Sequence, residues 1–316
     1  MVRRAFVTGI TGFAGAYLAE RLLGDGVEVL GCSQHGVWPS FASDDVSRRV
    51  PVVRWDVTEA APHELIERLR AFAPDWFVHL AALSIPADCG REQPTAEAMA
   101  VNVEGTRRVC ELAASLAAPP RFLMVSTCYV YRPVSQQCAA VDESWPLGPT
   151  NGYGITKLEG EAIVRQVADR AAMPWIVARA FQHSGPGQPP RLLLPEWARQ
   201  FALGTNPVEV RSLNSYLDLS DVRDIAAAYY ELLLHGQAST AYNVGSGRCL
   251  RTGEVFEHLR ARHDPARQVI ETAPARIYQP IADIGRLTHD TPWRPQIPIE
   301  QTIDDTLQYW LTELSE

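Results

Sequence analysis

The sequence predicts an α/β fold in which a doubly wound parallel sheet is followed by a smaller carboxyl-terminal lobe. Two observations lead to this prediction. Short apolar runs alternate with longer segments of helical spacing up to Phe181, and the composition changes beyond that residue. Parallel strands that are buried on both faces are near-continuous apolar runs, and the crossovers between them need a dozen or more residues. We therefore expect a first domain over residues 1–180, with a returning segment near 215–245, and a second lobe over 181–316.

The predicted elements follow one another in regular order. The runs AFVTG, VEVLGCS, VPVVRWD and WFVHLAA are predicted strands, and AGAYLAERLLGDG and PHELIERLRAFAPD between them have helical periodicity. RFLMVS and PWIVARA continue the strands, while TAEAMAVNVEGTRRVCELAASLA and YGITKLEGEAIVRQVADRAA are the later helices. The stretch HSGPGQPP then interrupts the pattern with glycine and proline. Strands alternating with helices are typical of a sheet covered on both faces.

The composition is that of an ordinary globular chain. It has 316 residues, of which 46% are hydrophobic, and a formal net charge of -8. Because no cluster of lysine and arginine interrupts the sequence, we expect neither nucleic acid nor a membrane surface as a partner. No apolar run approaches the roughly 18 residues of a membrane helix, and MVRRAFVTG lacks the apolar core of a signal peptide. These features predict a cytoplasmic protein.

The cysteines show no metal-binding or disulfide pattern. They stand far apart and form no CxxC pair, so we expect free thiols in a reducing compartment and no metal site. The six residues are Cys32, Cys89, Cys110, Cys128, Cys138 and Cys249.

A glycine-rich turn follows the first predicted strand. VTGITGFAG places Gly9, Gly12 and Gly15 before and within a helix that begins near Phe13. Small residues let the backbone turn tightly and approach a pyrophosphate, whose charge then lies at the amino end of the helix. Because the glycines join a strand to a helix, the turn predicts a dinucleotide site.

Several stretches in a fixed order resemble the extended short-chain dehydrogenase/reductase family over nearly the whole chain. They are the GxxGxxG spacing of the glycine turn, WDVTE, HLAALS, NVEGT and YGITK. The resemblance implies a Rossmann fold and a bound NADP or NAD. It implies cofactor contacts at Gly9, Thr11, Gly12, Phe13, Gly15, Ser33, Asp56, Val57, Leu80, Ala81, Ala82, Asn102, Tyr153 and Lys157.

The most specific of these stretches is YGITK. Residues i and i+4 share one face of a helix, so Tyr153 and Lys157 are predicted to point into the same crevice. The resemblance implies that the phenol exchanges a proton with a sugar oxygen, while the ammonium lowers the phenol pKa and holds the nicotinamide ribose. It also implies a third catalytic hydroxyl at the end of the fifth strand, where VSTCYVY supplies Thr127.

The resemblance leaves several reactions of nucleotide sugars open. Dehydratases of the family keep an acid and a base directly after the catalytic threonine, where this chain has Cys128 and Tyr129. A phenol is a poor base for that step, which disfavours 4,6- or 5,6-dehydration. The second strand ends in SQHG, without an acid, which favours NADP over NAD and a reductase over a 4-epimerase that retains NAD. A catalytically silent NADP-binding protein is the third alternative.

The carboxyl-terminal half resembles the substrate half of GDP-4-keto-6-deoxymannose reductases and their relatives. The resemblance rests on ARAFQHSGPGQ, YLDLSDV, AYNVGSG and HDTPWRP, and it departs from the family at Gln182 and Asn214, which replace an asparagine and an arginine. It implies a nucleotide-sugar substrate and a homodimer formed through the two long helices. The expected substrate contacts are Ser84, Cys128, Tyr129, Gln182, Arg191, Arg211, Asn214 and Arg276.

Overall fold

The computed structural model describes residues 2–315 and contains a seven-stranded parallel sheet, which confirms the predicted fold class. The strands are β1 Arg4–Thr8, β2 Glu28–Ser33, β3 Val52–Arg54, β4 Trp76–His79, β5 Arg121–Thr127, β6 Ala140–Val141, β7 Trp175–Ala180, β8 Gln182–Ser184, β9 Val208–Val210, β10 Ser215–Leu217, β11 Leu219–Asp221, β12 Thr240–Val244, β13 Leu250–Arg251, β14 Val269–Glu271, β15 Ile277–Tyr278 and β16 Ile281–Ala282. The large sheet has the order β12-β7-β5-β4-β1-β2-β3.

The helices cover both faces of this sheet and build the second lobe. They are α1 Phe13–Gly24, α2 Asp44–Arg49, α3 His63–Phe72, α4 Ala96–Ala98, α5 Thr106–Ala114, α6 Gly152–Arg170, α7 Leu193–Ala202, α8 Val222–His235, α9 Thr252–His263, α10 Gly285–Asp290 and α11 Ile299–Glu313. A π-helix, Met99–Gly105, joins α4 to α5, and two 3₁₀ turns span Pro86–Cys89 and Cys128–Val130.

Two apolar cores lie on opposite faces of the sheet. On one face α1, α2 and α8 pack on the strands through residues such as Leu18 and Tyr229. On the other face α3, α5 and α6 do so through Leu65, Val109 and Val164. The inner strands β1, β4, β5 and β7 are almost entirely buried, which explains the continuous apolar runs of the sequence.

The order of the strands fixes the position of the crevice. β1 lies between β2 and β4, so the direction in which the sheet grows reverses at β1. In open parallel sheets, ligands bind outside the carboxyl ends of the strands at such a reversal. The glycine turn after β1 and the ends of β4 and β5 therefore border the crevice.

A separate apolar core lies among the elements beyond residue 181. Helices α7, α9 and α11 enclose Trp197, Phe201, Phe256 and Leu307 and pack on the small sheet of β9 and β14. Between these elements the chain returns to the large sheet, because β12 pairs with β7 and α8 packs against α1. The central part of the carboxyl-terminal sequence, α8 and β12, is therefore part of the large sheet and its helical layer.

One prediction about the cysteines is wrong. Cys138 and Cys249 form a disulfide with Cα atoms 5.3 Å apart, although 111 residues separate them in sequence. Cys32, Cys89, Cys110 and Cys128 are free, as predicted for all six, and the structure buries each of them. A pair this distant has no spacing signal, since only the fold brings the two segments together. Among residues 2–315, no helix is long and apolar enough to cross a membrane.

Candidate active site

The glycine turn after β1 is packed too tightly for any side chain. Gly9 has a φ of +67°, and a Cβ there would lie 2.6 Å from the backbone nitrogen of Ala81. A Cβ on Gly15 would lie 2.5 Å from the carbonyl oxygen of Gly9. Gly12 caps α1 without any side-chain hydrogen bond, so the first N–H groups of the helix are available to an anion. The turn therefore fits the pyrophosphate of a dinucleotide.

The second lobe covers one side of this turn. The His183 ring stacks on Phe13, the first residue of α1, with ring centres 6.2 Å apart. The Tyr17 hydroxyl donates to the Pro186 carbonyl over 2.9 Å. Thr11 and Phe13 are half-buried, as a loop that borders a crevice requires.

A buried hydrogen-bond chain supports the floor of the crevice. The Ala81 N–H donates to Thr8 Oγ1 (3.3 Å), which lies 2.8 Å from His79 Nδ1, and His79 Nε2 lies 2.9 Å from Thr106 Oγ1. Because the Thr106 hydroxyl donates to the Asn102 carbonyl, it must accept from His79 Nε2–H, which fixes the tautomer. Burial, and then the charge of Lys157, lowers the pKa of His79 to about 3, so the ring is neutral.

Asn102 lies beneath the crevice instead of at its surface. Its amide donates to the Leu83 carbonyl (3.0 Å) and to Thr156 Oγ1 (3.0 Å), and accepts from the Leu83 N–H (2.8 Å). The side chain is 1% exposed and its amide is occupied by these partners, and its expected cofactor contact stays a prediction. Asn102 joins the loop after β4, with Leu80, Ala81 and Ala82, to helix α6.

Tyr153 and Lys157 lie on the first two turns of α6 and are both buried. Asn151 caps this helix by accepting from the Gly154 N–H at 2.8 Å. Close packing sets its position: a Cβ on Gly152 would strike the Cys89 carbonyl. The tyrosine and lysine therefore point from a helix end that is fixed against the 3₁₀ turn Pro86–Cys89.

The electrostatics of this pair differ from the expectation. Burial, and then the nearby thiols of Cys89 and Cys128, raises the pKa of Tyr153, and the hydrogen bond with Thr127 offsets this only in part. The expected lowering of the phenol pKa by lysine is therefore wrong for this structure, because desolvation is the larger effect. Burial also lowers the pKa of Lys157 to about 8, against the attraction of Glu161.

Thr127 is the last residue of β5 and is 5% exposed. Its hydroxyl accepts from the Tyr129 N–H (3.3 Å), which begins the 3₁₀ turn Cys128–Val130. The fold thus brings the predicted threonine, tyrosine and lysine together at the carboxyl edge of the sheet, next to the glycine turn.

A buried ion pair stands behind them. Glu161, one turn after Lys157 on α6, accepts from Arg179 Nη2 (2.8 Å) and from the Ser126 hydroxyl (2.6 Å). The Arg179 guanidinium lies over the Tyr131 ring, 5.0 Å from its centre. Because the glutamate and arginine are 1% and 4% exposed, neither could lose its partner without leaving a buried charge. This network holds β5, α6 and β7 in one arrangement around the site.

The tip of β2 carries more charge than the sequence indicated. The Ser33 hydroxyl accepts from the Gly36 N–H (3.1 Å), and Gln34 donates to Asp56 (3.0 Å). Hydrogen bonds from Thr58 lower the pKa of Asp56. Arg54, the exposed end of β3, pairs in register with Ser33. An arginine and a serine are therefore paired through their backbones at the ends of these two strands.

A family model matches this chain over residues 5–245, described as the NAD dependent epimerase/dehydratase family. The chain belongs to the NAD dependent epimerase/dehydratase family. The match spans the glycine turn, the β5 threonine and the Tyr153–Lys157 pair. Membership confirms the family and the enzyme class that the sequence predicts.

Relatives in this epimerase/dehydratase family align over almost all of both chains. The GDP-6-deoxy-D-mannose reductase of Pseudomonas aeruginosa is 30% identical, with 100% of both chains covered. The structure of RMD from Pseudomonas aeruginosa complexed with NADPH has a TM-score of 0.81 at 27% identity and covers 99% of each chain. A putative epimerase from Burkholderia cenocepacia has a TM-score of 0.83 at 28% identity and covers 98% of each.

A polar cluster borders Tyr153 on the side away from the glycine turn. The Tyr129 ring meets the Tyr153 ring edge to face, with centres 6.1 Å apart. The Tyr129 hydroxyl donates to Gln279 Oε1 (3.3 Å), and Gln182 Nε2 contacts both Gln279 and, at 3.7 Å, Cys128 Sγ. Three of the expected substrate residues, Cys128, Tyr129 and Gln182, are thus neighbours in the structure.

The other expected substrate residues lie farther out. Arg191 is exposed and makes a bidentate bridge to Asp88 (2.7 and 2.9 Å). Arg211 and Arg276 are exposed, and Asn214 precedes the β10–β15 pair in which Ser215 is in register with Ile277. Asn214 and Arg276 are therefore neighbours, whereas Ser84 lies exposed in the loop after β4.

Four residues near the candidate active site were not predicted from the sequence. They are Glu161, Arg54, Gln279 and Cys89. Glu161 had a local signal, because it continues the Tyr153–Lys157 face of α6. Arg54 lies within a predicted strand, but its register with Ser33 could not be known. Gln279 lies in a loop and Cys89 in the 3₁₀ turn Pro86–Cys89, and neither segment carries a motif. Gln279 enters the site because its loop meets Gln182 and Tyr129, and Cys89 enters it by packing beside Tyr153.

Proposed function

We propose that the protein is an NADPH-dependent reductase of a nucleotide-linked 4-keto-6-deoxy sugar. The observation that carries the proposal is the buried Thr127–Tyr153–Lys157 arrangement, in which the Tyr153 pKa is raised. A phenol with a raised pKa keeps its proton at neutral pH, the state required to protonate the oxygen of a ketone as it is reduced. An epimerase must first remove a proton from a sugar hydroxyl, and a protonated phenol is unsuited to that.

The cofactor is proposed to lie over the glycine turn and the tip of β2. A Cβ would fill the cradle at Gly9 and Gly15, and the free N–H groups of α1 suit the pyrophosphate. Ser33 and Arg54 are suited to the 2′-phosphate of NADPH. The relative with NADPH supports this choice. When bound, the dinucleotide supplies the hydride.

The residues of this chain bind the sugar and move one proton. Tyr153 donates its phenolic proton to the sugar O4, while the Thr127 hydroxyl hydrogen-bonds the same oxygen as negative charge develops on it. Lys157, protonated below its pKa of about 8, places a positive charge beside the phenol. The buried Glu161–Arg179 pair keeps helix and strand in register during this step.

Elimination of water is disfavoured by the two residues after Thr127. A dehydratase needs a second acid and a base there, yet burial raises the pKa of Cys128 and of Tyr129 to about 12 each. Neither group is ionised near neutral pH, so neither serves as a base.

The nucleotide is proposed to be GDP and to lie on the second lobe. The 30% identical reductase over the full chain supports this. Arg211, Asn214 and Arg276, on adjacent loops, are the proposed partners of the nucleotide diphosphate, with Arg191 nearer the crevice. We also propose a homodimer through α5 and α6, which pack side by side on one face of the sheet.

The decisive experiment follows NADPH oxidation at 340 nm with GDP-, dTDP- and UDP-linked 4-keto-6-deoxyhexoses. Consumption of NADPH with at least one of them, and none with the parent hexoses, is the expected result. Purified protein that carries tightly bound NAD and interconverts nucleotide hexoses without added cofactor would instead make it a 4-epimerase. No turnover of any of these sugars would refute the reductase.

A further inference from the structure

We propose that the loop between β2 and α2, residues 34–43, is a gate over the dinucleotide site, and that the contact between Phe41 and Gly187 holds this gate closed. The inference rests on the proposed function for the position of the dinucleotide, over the glycine turn and the tip of β2. It adds the element that controls how fast the cofactor enters and leaves.

Phe41 reaches from the first domain to the second lobe. A Cβ on Gly187 would lie 2.4 Å from Cγ of Phe41, so the ring packs directly against the glycine and leaves no room for a side chain there. Gly187 also has a φ of +80°, which favours glycine. The Phe41 ring centre lies 6.5 Å from that of Phe13, the first residue of α1. The contact therefore lies beside the helix end at which the pyrophosphate is proposed to bind.

The second-lobe side of this contact is fixed by hydrogen bonds. Gln188, which is 5% exposed, accepts from the Ser184 hydroxyl (2.6 Å) and donates to the His183 carbonyl (3.0 Å). The Tyr17 hydroxyl donates to the Pro186 carbonyl (2.9 Å), which ties the same segment to α1. Separation of the two sides would therefore come from movement of the loop between β2 and α2.

This loop is anchored to the first domain on both sides of Phe41. The Trp38 indole donates to the Val50 carbonyl (3.2 Å), and Ser43 caps α2 by accepting from the Val46 N–H (3.4 Å). Among residues 2–315, the hydrogen bonds of the loop all lie within the first domain, and none joins it to the second lobe. An apolar contact can separate without leaving a buried polar group unpaired, so this one suits an element that opens and closes.

The loop borders both parts of the proposed dinucleotide site. It begins directly after Ser33, where the 2′-phosphate is proposed to bind, and Phe41 lies beside the start of α1. A bound dinucleotide would therefore leave only after the contact between Phe41 and Gly187 has separated. A cofactor that is replaced after each hydride transfer requires this opening in every turnover.

The test measures the rates of NADPH binding and release by stopped-flow fluorescence, with excess NADP⁺ to displace bound NADPH. In Phe41→Ala we expect the association and dissociation rate constants both to rise about 5-fold or more, because removal of a closed gate speeds movement in both directions. The Kd, which is the ratio of the two constants, should change by less than about 3-fold. Phe41 is half-buried in a loop, so the variant should fold, and its thermal unfolding checks this.

Val37 gives the matched control, because it lies on the same loop and is 69% exposed. Val37→Ala should keep both wild-type rate constants. Unchanged rates in Phe41→Ala would overturn the gate. Faster release with unchanged association would also overturn it, since the ring would then only contact the bound cofactor.

The same measurements separate the gate from the proposed function. A rise in both rates without NADPH oxidation by any keto sugar would support the gate and refute the reductase. Protein that binds NADH in place of NADPH would contradict the proposed cofactor, and a rise in both rates measured with NADH would still support the gate. Binding of neither dinucleotide would refute both.

Discussion

Ser33 and Arg54 are direct partners in the register of the parallel strands β2 and β3, and each is the last residue of its strand. Neither strand carries both residues. Local sequence does not reveal this pairing, and the 2′-phosphate contact proposed for it makes cofactor choice testable through one side chain.

Replacement of Arg54 should change the choice between cofactors. In Arg54→Gln we expect NADPH to bind about 10-fold or more weakly, since a charge-assisted hydrogen bond to the 2′-phosphate is lost, while NADH affinity stays nearly constant. Calorimetric titration of both cofactors measures this. Arg48→Gln, an exposed arginine on α2, is the control and should bind both like the wild type. Equal losses for both cofactors would contradict the assignment.

Removal of the phenolic hydroxyl should affect turnover and spare binding. Tyr153→Phe is expected to lower kcat roughly 100-fold or more, because the proton donor is lost, with little change in nucleotide-sugar affinity. Tyr129→Phe, which changes the neighbouring ring, should lower kcat far less. Steady-state kinetics and calorimetry measure the two effects, and retained activity in Tyr153→Phe would rule out its role.

Thr127 should matter more than the residue after it. Thr127→Val is expected to reduce turnover roughly 10-fold to 1000-fold by removing a hydrogen bond to the developing alkoxide. Cys128→Ser should reduce turnover much less than Thr127→Val does. Mass spectrometry after incubation with unmodified nucleotide hexoses tests the competing role of the thiol: a dehydrated product that disappears in Cys128→Ser would identify an elimination reaction and refute the reductase.

The pH dependence of the free enzyme should reflect Lys157. Its pKa lies at about 8, below the ordinary 10.5, so the ammonium is present below pH 8 and is lost as pH rises through that value. We therefore expect kcat/KM for the keto sugar to fall above about pH 8. In Lys157→Arg the charge persists and this decline should move to higher pH; the same decline in both proteins would assign it to another group.

The disulfide should contribute to stability. Reduction, or the Cys138→Ser substitution, removes the closure of a long loop, and we expect the free energy of unfolding to drop by about 2–5 kcal/mol. Denaturant titration with and without reductant measures the effect. Reductant should not alter Cys138→Ser, because the remaining thiols, apart from Cys249, are already free and buried. A reductant effect of equal size in that variant would contradict the assignment.

Short sequence patterns predicted the features that depend on neighbouring residues, namely the strands, the helices and the motifs. Alternating apolar runs and helical segments gave the parallel sheet, because burial on both faces constrains every strand, and the glycine and YGITK motifs indicated the family. The GxxGxxG turn is legible in sequence since the close approach of Gly9 to Ala81 excludes every larger residue.

Contacts between distant segments could not be predicted in the same way. Gln279 meets Gln182 across 97 residues, and Cys138 meets Cys249 across 111. The raised pKa of Tyr153 also escaped prediction, because its largest cause is burial, and only the three-dimensional structure shows how deeply the phenol is buried. Burial of the phenol is a result of side-chain packing, which the sequence does not show.

The Cys138–Cys249 bond also changes the covalent topology of the molecule. It closes a ring that contains helix α6 with Tyr153 and Lys157, together with Gln182, whereas the glycine turn and Thr127 lie on the amino-terminal tail outside it. A single protease cut anywhere between the two cysteines therefore releases no fragment: the mass of the oxidised protein would increase by one water, and two pieces would separate only after reduction.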